Sequence, residues 1–576
     1  MLKKFEYRSY MRRILLFSLT AGSVIFFWVS LGITEDHPTA EQLISELSCS
    51  NCHTDLGLES NIHEKVPDLS FAGLKYNSAY LFEYLQNPEK VRHNIGYARM
   101  PDFHLSEKEA LALVFFLETQ KKISIDYPDF PSWLQSESHP DYNIQINIGG
   151  DLFEALECLK CHSPDAKGKE RGSDLSTVSY RLKKKWVKMY FVSPVLFDGT
   201  NSPMPSYFYD LSDEGRIYSE TLSPAPEIIN RLTEQLYDEN KSRKDELEEK
   251  YNSAKISYPE ISIAQGEKIF TALNCSTCHR HSLKEPWKET IAPKLSGEGS
   301  RVTQNWLRDY LSNPYAVRPF GYLPGSGSRM PDYQLTLEEA TVLAEYFSKK
   351  QNRQAASELF RPTKISPFAM NKARGLLDSK LSCLGCHRIG DDGGKIGPDL
   401  SNLKSRLNPS YIFDIIQNPH AVDPETVMPM MVMPLGTLEL IVNYLLQLDF
   451  SAARTDYLSL VDNPVITPNQ MKGENSLYLK QCSSCHGIIG DGKGFNAKFL
   501  PIAPRSHSDD KYLSRRSDDT LFDGIFAGGY ILNKNNLMPP FGHSLSRSEI
   551  EKMVSHIRKL CRCIGPAWSL DNQSNN

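Results

Sequence analysis

Five copies of the pentapeptide pattern Cys-x-x-Cys-His, which can hold a metal, a redox disulfide or a covalently attached group, recur along the 576 residues. They begin at residues 49, 158, 275, 383 and 482, so the successive spacings are 109, 117, 108 and 99 residues. The pattern takes ten of the twelve cysteines: Cys49, Cys52, Cys158, Cys161, Cys275, Cys278, Cys383, Cys386, Cys482 and Cys485. A repeat of this length predicts a tandem array of five similar domains that share one chemistry.

Three kinds of site use cysteines at this spacing. A structural zinc site needs four ligands, and each pair here has one adjacent His and no second pair nearby. A thioredoxin-like disulfide needs no His and lies in a βαβ unit, for which the sequence gives no pattern. The remaining interpretation is haem c attachment, in which both thiols bond the porphyrin and the next His binds the iron. Five repeats favour five covalently bound haem c groups with these proximal ligands: His53, His162, His279, His387 and His486.

The sixth iron ligand decides whether such a site transfers electrons or binds a small molecule. No His lies between His162 and His279, and His281 is too close to His279 to reach the opposite face. A Met-Pro pair, in contrast, follows every motif. The predicted sixth ligands, from the first to the fifth repeat, are Met100, Met204, Met330, Met428 and Met538.

The fourth repeat offers several methionines, at positions 428, 430, 431 and 433. Aligning its last helix with those of repeats one and three places Met428 opposite Met100 and Met330, so Met428 is preferred and Met433 is the reserve. A copper-binding methionine cluster and ordinary packing are the alternatives. Histidines that offer other axial ligands are His63, His93, His104, His420, His507 and His543.

The elements that must position these residues form one order in each repeat. A helix precedes the motif, with a Gly such as Gly266 that indicates close helix approach. A Pro-x-Leu loop follows at Pro67, Pro293 and Pro398, and its proline carbonyl is expected to accept a hydrogen bond from the proximal His. A second helix then ends at Asn-Pro or Ser-Pro, and a third begins at a capping box. Repeat two departs from the pattern, with Ser in place of the Pro and a charged third helix, near residues 226–250, interpreted as a solvated face.

This order of helix, CxxCH, proline loop, helix, Met-Pro and helix resembles the class I cytochrome c family. The resemblance implies an all-α fold with His/Met iron in each domain. Repeat two also resembles the mono-haem subunit of proton-pumping haem-copper oxidases, over a short stretch. The predicted fold is all-α, with five tandem class I cytochrome c-like domains after a transmembrane helix. The predicted ranges are 1–36 for the anchor or signal and 37–125, 140–255, 260–352, 368–452 and 466–576 for the domains.

The N-terminus carries five basic residues and then an uncharged run at residues 14–33, long enough to cross a bilayer as a helix. The basic flank predicts a retained anchor at the inner membrane, with the haem domains in the periplasm. The alternative is a cleaved secretory signal, which leaves a soluble periplasmic protein. The net charge of −5 gives no electrostatic case for nucleic acid.

Two smaller patterns remain. Residues 490–494 lack the spacing of a phosphate loop and are expected to pack beside haem five. Cys561 and Cys563 are left over, and a local disulfide, a link to a partner and a thiolate ligand stay open, although strain disfavours the local bridge.

The sequence therefore predicts a pentahaem c-type cytochrome that transfers electrons in a respiratory chain, and no catalytic residue. Its expected partners are a quinol-oxidising complex, and a terminal oxidase or small soluble cytochrome. One alternative is a haem enzyme, a peroxidase or sulfur-compound dehydrogenase, with one open iron site. Another is an electron-relay subunit of a larger oxidase or quinol-oxidising complex.

Overall fold

Short helices joined by loops make up most of the chain, which we describe from a computed structural model. The described residues are 38–569 except 54, 59–61, 63–64, 92–95, 122–151, 163–171, 199–201, 213–216, 239–240, 282–291, 319, 322, 324–326, 352–359, 451–456, 464–472 and 474. From Thr39 onward the chain forms one compact unit. The predicted anchor at residues 14–33 lies outside the described residues, and none of the helices within them is long and apolar enough to cross a membrane.

The helices and strands follow the repeats in chain order. The α-helices are α1 Ala40–Glu46, α2 Ala72–Lys75, α3 Ser78–Gln86, α4 Glu107–Glu118, α5 Leu152–Ala155, α6 Val178–Arg181, α7 Lys184–Val192, α8 Val195–Asp198, α9 Ala225–Asp238, α10 Lys241–Ser257, α11 Ile263–Ala272, α12 Glu298–Arg301, α13 Gln304–Ser312, α14 Leu337–Ser348, α15 Pro367–Ser379, α16 Leu403–Arg406, α17 Pro409–Gln417, α18 Pro419–Val422, α19 Leu435–Gln447, α20 Ser476–Gln481, α21 Ser483–His486, α22 Asp510–Leu513, α23 Asp518–Ile531 and α24 Arg547–Cys561. The 3₁₀ turns are Cys49–Asn51, Cys158–Lys160, Cys275–Thr277, Cys383–Gly385, Ala497–Phe499 and Ala567–Ser569. Two antiparallel hairpins pair β1 Tyr209–Leu211 with β2 Ile217–Glu220, and β3 Arg388–Ile389 with β4 Asp392–Gly393.

The third helix of three repeats begins at the capping box that its sequence predicts. The side chains of Ser106, Thr336 and Ser546 each accept a hydrogen bond from the backbone amide three residues on, and the Glu carboxylate at that position accepts one from the amide of the cap residue. These reciprocal bonds satisfy amide groups that the first turn of a helix leaves unpaired. The starts of α4, α14 and α24 are therefore confirmed.

Repeat two differs from the expectation of one polar third helix. Its segment forms two helices, α9 and α10, separated at residues 239–240, and β1 and β2 precede them. The apolar side chains of α9, including Ile229 and Leu232, are buried against α7. Helix α10 buries Leu247 and Tyr251 against α3 and α4 of repeat one and keeps the rest of its surface polar. The solvated-face interpretation thus holds for most of α10 and is wrong for α9.

Repeats one and three exchange their N-terminal helices. Helix α11, which precedes the third motif, packs against α4 of repeat one, whereas α1 packs against α14 of repeat three. Repeats four and five pack on their own helices, with α15 and α17 against α19, and α20 and α23 against α24. Each of the two units therefore combines the N-terminal helix of one repeat with the third helix of the other. The repeat pattern instead predicts self-contained first and third domains.

Short backbone pairings tie neighbouring repeats together. Isolated antiparallel bridges join Tyr76 to Leu182 between repeats one and two, and Val302 to Leu407 between repeats three and four. The first and third repeats are also bridged, since Asp102 and Asp332 exchange two backbone hydrogen bonds of 2.7 Å. These pairings connect repeats one to four through the backbone.

Candidate haem-attachment sites

All five Cys-x-x-Cys-His motifs share one backbone hydrogen bond, although the first four form 3₁₀ turns and the fifth lies in α21. In each, the His amide donates to the carbonyl of the first Cys at 2.8–3.0 Å, which closes a single tight turn. None of the ten cysteines forms a disulfide. A turn of this kind places both thiols and the imidazole on one side of the backbone, as attachment of one flat group requires.

Each proximal imidazole is oriented by a backbone carbonyl. The Nδ1 atoms of His53, His162, His279, His387 and His486 lie 2.7, 2.8, 3.0, 2.7 and 2.7 Å from a carbonyl oxygen. Because a carbonyl can only accept, Nδ1 must carry the proton, which leaves the lone pair on Nε2 available to a metal. The five rings thus each present Nε2 as a possible metal ligand.

The carbonyl partners follow the prediction in part. Within repeat four, His387 is held by Pro398 as expected, while Ser173 takes this place in repeat two and Arg505 in repeat five. In repeats one and three the partners are exchanged, since His53 is held by Pro293 and His279 by Pro67. The expectation that each of these two repeats orients its own histidine is wrong, because their N-terminal helices pack on the other repeat.

The first and third motifs face one another. The side-chain amide of Asn51 donates to the carbonyl of Thr277 at 2.8 Å and approaches the Sγ atom of Cys278 at 3.5 Å. The first and third motifs are therefore in direct contact through the side chain of Asn51.

The fourth and fifth motifs are joined in a similar way. The buried amide of Asn496 donates to the carbonyl of Gly385 at 2.9 Å and lies 3.5 Å from the Sγ atom of Cys485. Its oxygen accepts the amide of Lys395 at 2.8 Å. One Asn in each pair thus fixes two motifs side by side.

The environment of the thiols and imidazoles favours their uncharged forms. Burial, with a smaller contribution from neighbouring thiols, raises the pKa of Cys49 to about 12 and that of Cys52 to about 11. Burial also lowers the pKa of His53, His387 and His486. A neutral imidazole is the form whose Nε2 lone pair can bind iron.

A connected cavity of about 970 Å³ is lined by motifs one, three, four and five. Its walls are mainly apolar, and they carry basic groups such as Arg301. One terminal nitrogen of Arg301 pairs with Glu298, whereas its buried Nε atom has no hydrogen-bond partner among the described residues. An apolar space with thiols, imidazoles and a guanidinium that has one free buried donor suits a flat apolar group with anionic substituents. The residues present therefore fit haem c.

The predicted methionines border this cavity in four repeats. The lining includes Met100, Met330, Met428 and Met538, and Met431 and Met433 also line it. The choice between Met428 and Met433 stays a prediction. In repeat two Met204 is half-buried, and its pairing with His162 likewise stays a prediction.

Two of the alternative histidines have other roles. The ring of His507 stacks on that of His486, with centroids 4.0 Å apart and an angle of 12° between planes. A ring stacked on the proximal imidazole lies on the proximal side, so His507 cannot supply the sixth ligand. His104 stacks on Tyr457 and lies beside Asp102, away from the cavity lining. His63 and His93 lie outside the described residues.

The remaining predictions concern the last repeat. Cys561 and Cys563 form a disulfide at the end of α24, the local bridge that strain was expected to disfavour. Gly490 packs against His507 and Leu560, so the glycine loop lies beside the fifth attachment site as predicted.

Sequence reasoning missed the exchange between repeats one and three and the roles of Asn51 and Asn496. The exchanged and unexchanged arrangements would make the same kinds of contact, because the two repeats share helix order, proline loop and Met-Pro pair. A single sequence therefore carries no signal that separates them. The asparagines differ in their place relative to the motif and so form no recurring pattern.

Comparison with protein families identifies four segments. The model for cytochrome c matches residues 39–121, 263–350 and 374–449. The model for the cbb3-type cytochrome c oxidase subunit III matches residues 469–557. Repeat two lies outside these ranges, and the oxidase-type similarity falls on repeat five, whereas the sequence suggested it for repeat two. No curated protein and no solved structure matches the chain.

Proposed function

Since the chain is a multihaem c-type cytochrome of tandem cytochrome c-like domains, we propose that it carries five covalent haem c groups and transfers electrons in a respiratory chain. The observation that carries this proposal is the shared motif geometry, in which every proximal Nδ1 is bonded to a carbonyl. Haem iron, when bound, supplies one-electron chemistry. The motif cysteines would attach it, and the carbonyl-bonded motif histidines would orient it.

Methionine as the sixth ligand supports a carrier more than an enzyme. A methionine thioether and a histidine imidazole that both held the same iron would leave it no open site and would raise its reduction potential, which suits the oxidant-facing part of a respiratory chain. The five ligand pairs proposed from sequence spacing use Met100, Met204, Met330, Met428 and Met538 with the histidines of the motifs.

Side-by-side attachment sites support movement of electrons along the chain. Asn51 joins the first and third motifs, and Asn496 joins the fourth and fifth. Motifs joined in this way would hold their haem groups close together within one compact unit. This arrangement supports a multi-site carrier more than a single-site shuttle.

The setting proposed for this carrier is the periplasmic face of the inner membrane, with residues 14–33 as the anchor. The basic flank and the need of haem c and of the Cys561–Cys563 disulfide for an exported chain support this placement. The electron donor would be a quinol-oxidising complex, and the acceptor would be a terminal oxidase or a small soluble cytochrome. The oxidase-type similarity of residues 469–557 favours the fifth repeat as the oxidase-facing end.

Counting covalent haem tests the proposal. The full chain, produced in cells that mature c-type cytochromes, is denatured and its haem is measured as the pyridine haemochrome against protein mass. Five haems per chain are expected, and Cys-to-Ala pairs in each motif should remove one each. Fewer than five in the unsubstituted chain would overturn the count.

A second measurement separates carrier from enzyme. The reduced protein is exposed to carbon monoxide at neutral pH, and the far-red sulfur-to-iron absorption of the oxidised protein is recorded. A carrier with five filled axial sites binds no carbon monoxide and shows the absorption for all haems. Binding at one haem that also lacks the absorption would favour the enzyme alternative.

A further inference from the structure

The exchange between repeats one and three reaches beyond their helices to the iron sites. A Cβ atom on Gly266 of α11 would overlap the carbonyl oxygen of Ala112 in α4, and the rings of Phe116 and Phe270 lie 5.3 Å apart. The close helix crossing that Gly266 predicts therefore forms between repeat three and repeat one.

Helices α1 and α14, the other exchanged pair, are also closely packed. Leu43 and Ile44 of α1 are fully buried in a cluster that includes Leu343 and Ala344 of α14. Downstream of the motif, the carboxylate of Asp55 accepts the amide of Ser296 at 2.6 Å, in addition to the bond from His53 to Pro293. The proximal side of the first site is thus built from repeat three.

The methionine side of the first site comes from repeat three as well. Met330 and Cys49 pack against the same cluster of α1 and α14 side chains. Tyr333, three residues after Met330, belongs to this cluster too, and burial and the nearby thiols of Cys49, Cys52 and Cys278 raise its pKa. The Met-Pro loop of repeat three therefore lies at the first motif.

The third site shows the reciprocal arrangement. Phe103, three residues after Met100, packs against the cluster of α4 and α11 side chains, and Cys275 packs against it as well. His281, just beyond the third motif, lies 2.9 Å from the side-chain oxygen of Gln120 in repeat one. The Met-Pro loop of repeat one accordingly accompanies the third motif.

We propose that repeats one and three exchange their sixth iron ligands, so that Met330 completes the site of His53 and Met100 completes the site of His279. This inference rests on the proposed function, since it assumes methionine-ligated haem c. It replaces the pairing of each Met with the histidine of its own repeat. Each iron site then needs both repeats, and neither repeat can fill its site alone.

Removal of one haem at a time makes the two pairings distinguishable. The background chain carries Cys49→Ala and Cys52→Ala and so lacks the first covalent haem. Met330→Leu and Met100→Leu are introduced into the full chain and into this background, because Leu keeps the volume of Met without the sulfur. The readouts are the far-red sulfur-to-iron absorption and the haem count per chain.

In the full chain, each substitution should remove the absorption of one haem, roughly one fifth of the total if all five are methionine-ligated. In the background lacking haem one, Met330→Leu should cause no further loss of this absorption. Met100→Leu should still remove the absorption of one haem. The opposite pattern would overturn the exchange, as would unchanged absorption in both full-chain variants. Absence of the absorption from the unsubstituted chain would instead contradict the proposed function.

A second background provides a control in case the first one misfolds. Cys275→Ala with Cys278→Ala removes the third haem. In this background Met100→Leu should leave the absorption unchanged, whereas Met330→Leu should remove the absorption of one haem. Met370→Leu on α15 controls for loss of a methionine that packs against the core of repeat four, and should leave the absorption unchanged in every background. Either background alone decides between the two pairings.

Discussion

The guanidinium of Arg329 lies 3.0 Å from the carboxylate of Glu109, although 220 residues separate them, and the two side chains are only 8% and 1% exposed. A second pair mirrors the first, since Arg99 contacts Glu339 at 2.7 Å. Each Arg directly precedes a Met-Pro pair, and each Glu belongs to the capping box of the other repeat. The two ion pairs therefore fasten the Met-Pro loop of one repeat to the third helix of the other.

Loss of Arg329 should weaken the joint unit of repeats one and three. Arg329→Met leaves the buried carboxylate of Glu109 without its counter-charge, which costs about 3 kcal/mol. We expect a lower urea midpoint by far-UV circular dichroism and an earlier loss of methionine ligation. Lys108→Met is the matched control, because Lys108 pairs with Asp462 at the surface, and it should leave the midpoint unchanged. Equal changes in the urea midpoint for the two variants would contradict a stabilising role of the buried Arg329–Glu109 pair.

The helix crossing at Gly266 should tolerate no side chain. Gly266→Ala forces a methyl group into the backbone of α4 at Ala112, so α11 must shift, at a cost of about 2 kcal/mol or more. Reduced incorporation of the third haem and a lower urea midpoint are expected. In Gly375→Ala, on α15, the new methyl group meets open space, and the better helix propensity should stabilise the fold by about 1 kcal/mol. A neutral Gly266→Ala would mean that α11 does not pack closely on α4.

The sequence predicts the local structure well because local rules govern it. Capping boxes at Ser106, Thr336 and Ser546 mark three helix starts correctly, and the carbonyl of Pro398 holds His387 as expected. The motifs themselves identify the thiols and imidazoles without any structure.

The choice of partner for each element is set by tertiary packing, which leaves no mark on a single sequence. Helices α1 and α11 each have an apolar face and precede a motif, and the third helices of both repeats can pack against such a face. In repeat two, the charged segment was expected to face solvent, yet the apolar spacing around Ile229 and Leu232 buries α9. A prediction from charge content alone is therefore wrong for α9, because the apolar residues of this helix lie on one side.

The joint between repeats four and five should depend on Asn496. Asn496→Ala leaves the carbonyl of Gly385 and the amide of Lys395 without their partner inside the protein, which costs about 2–3 kcal/mol. Faster hydrogen exchange at Lys395 is the expected result. Asn463→Ala removes an amide that donates to the carbonyl of Ser459 in its own loop, and it should leave that exchange rate unchanged. Unchanged exchange in Asn496→Ala would contradict the role of this Asn as a joint.

The capping box of α24 should give the start of this helix an acid sensitivity. The backbone amide and the hydroxyl of Ser546 donate to the carboxylate of Glu549 at 2.8 and 2.7 Å, and these bonds lower the pKa of Glu549. A carboxylate with a lowered pKa in the folded state stabilises that state above its ordinary pKa of 4.5. This contribution is lost as the pH falls through the lowered value.

Hydrogen exchange of the first turn of α24, corrected for intrinsic rates, measures this effect. In the natural chain the protection of these amides should fall as the pH drops below about 4.5, the ordinary pKa of Glu549. Glu549→Gln should start from lower protection at neutral pH and lose the acid-dependent part. Glu551→Gln, which removes an exposed carboxylate paired with Arg547, should keep the pH dependence of the natural chain. An unchanged profile in Glu549→Gln would show that the carboxylate does not secure the helix start.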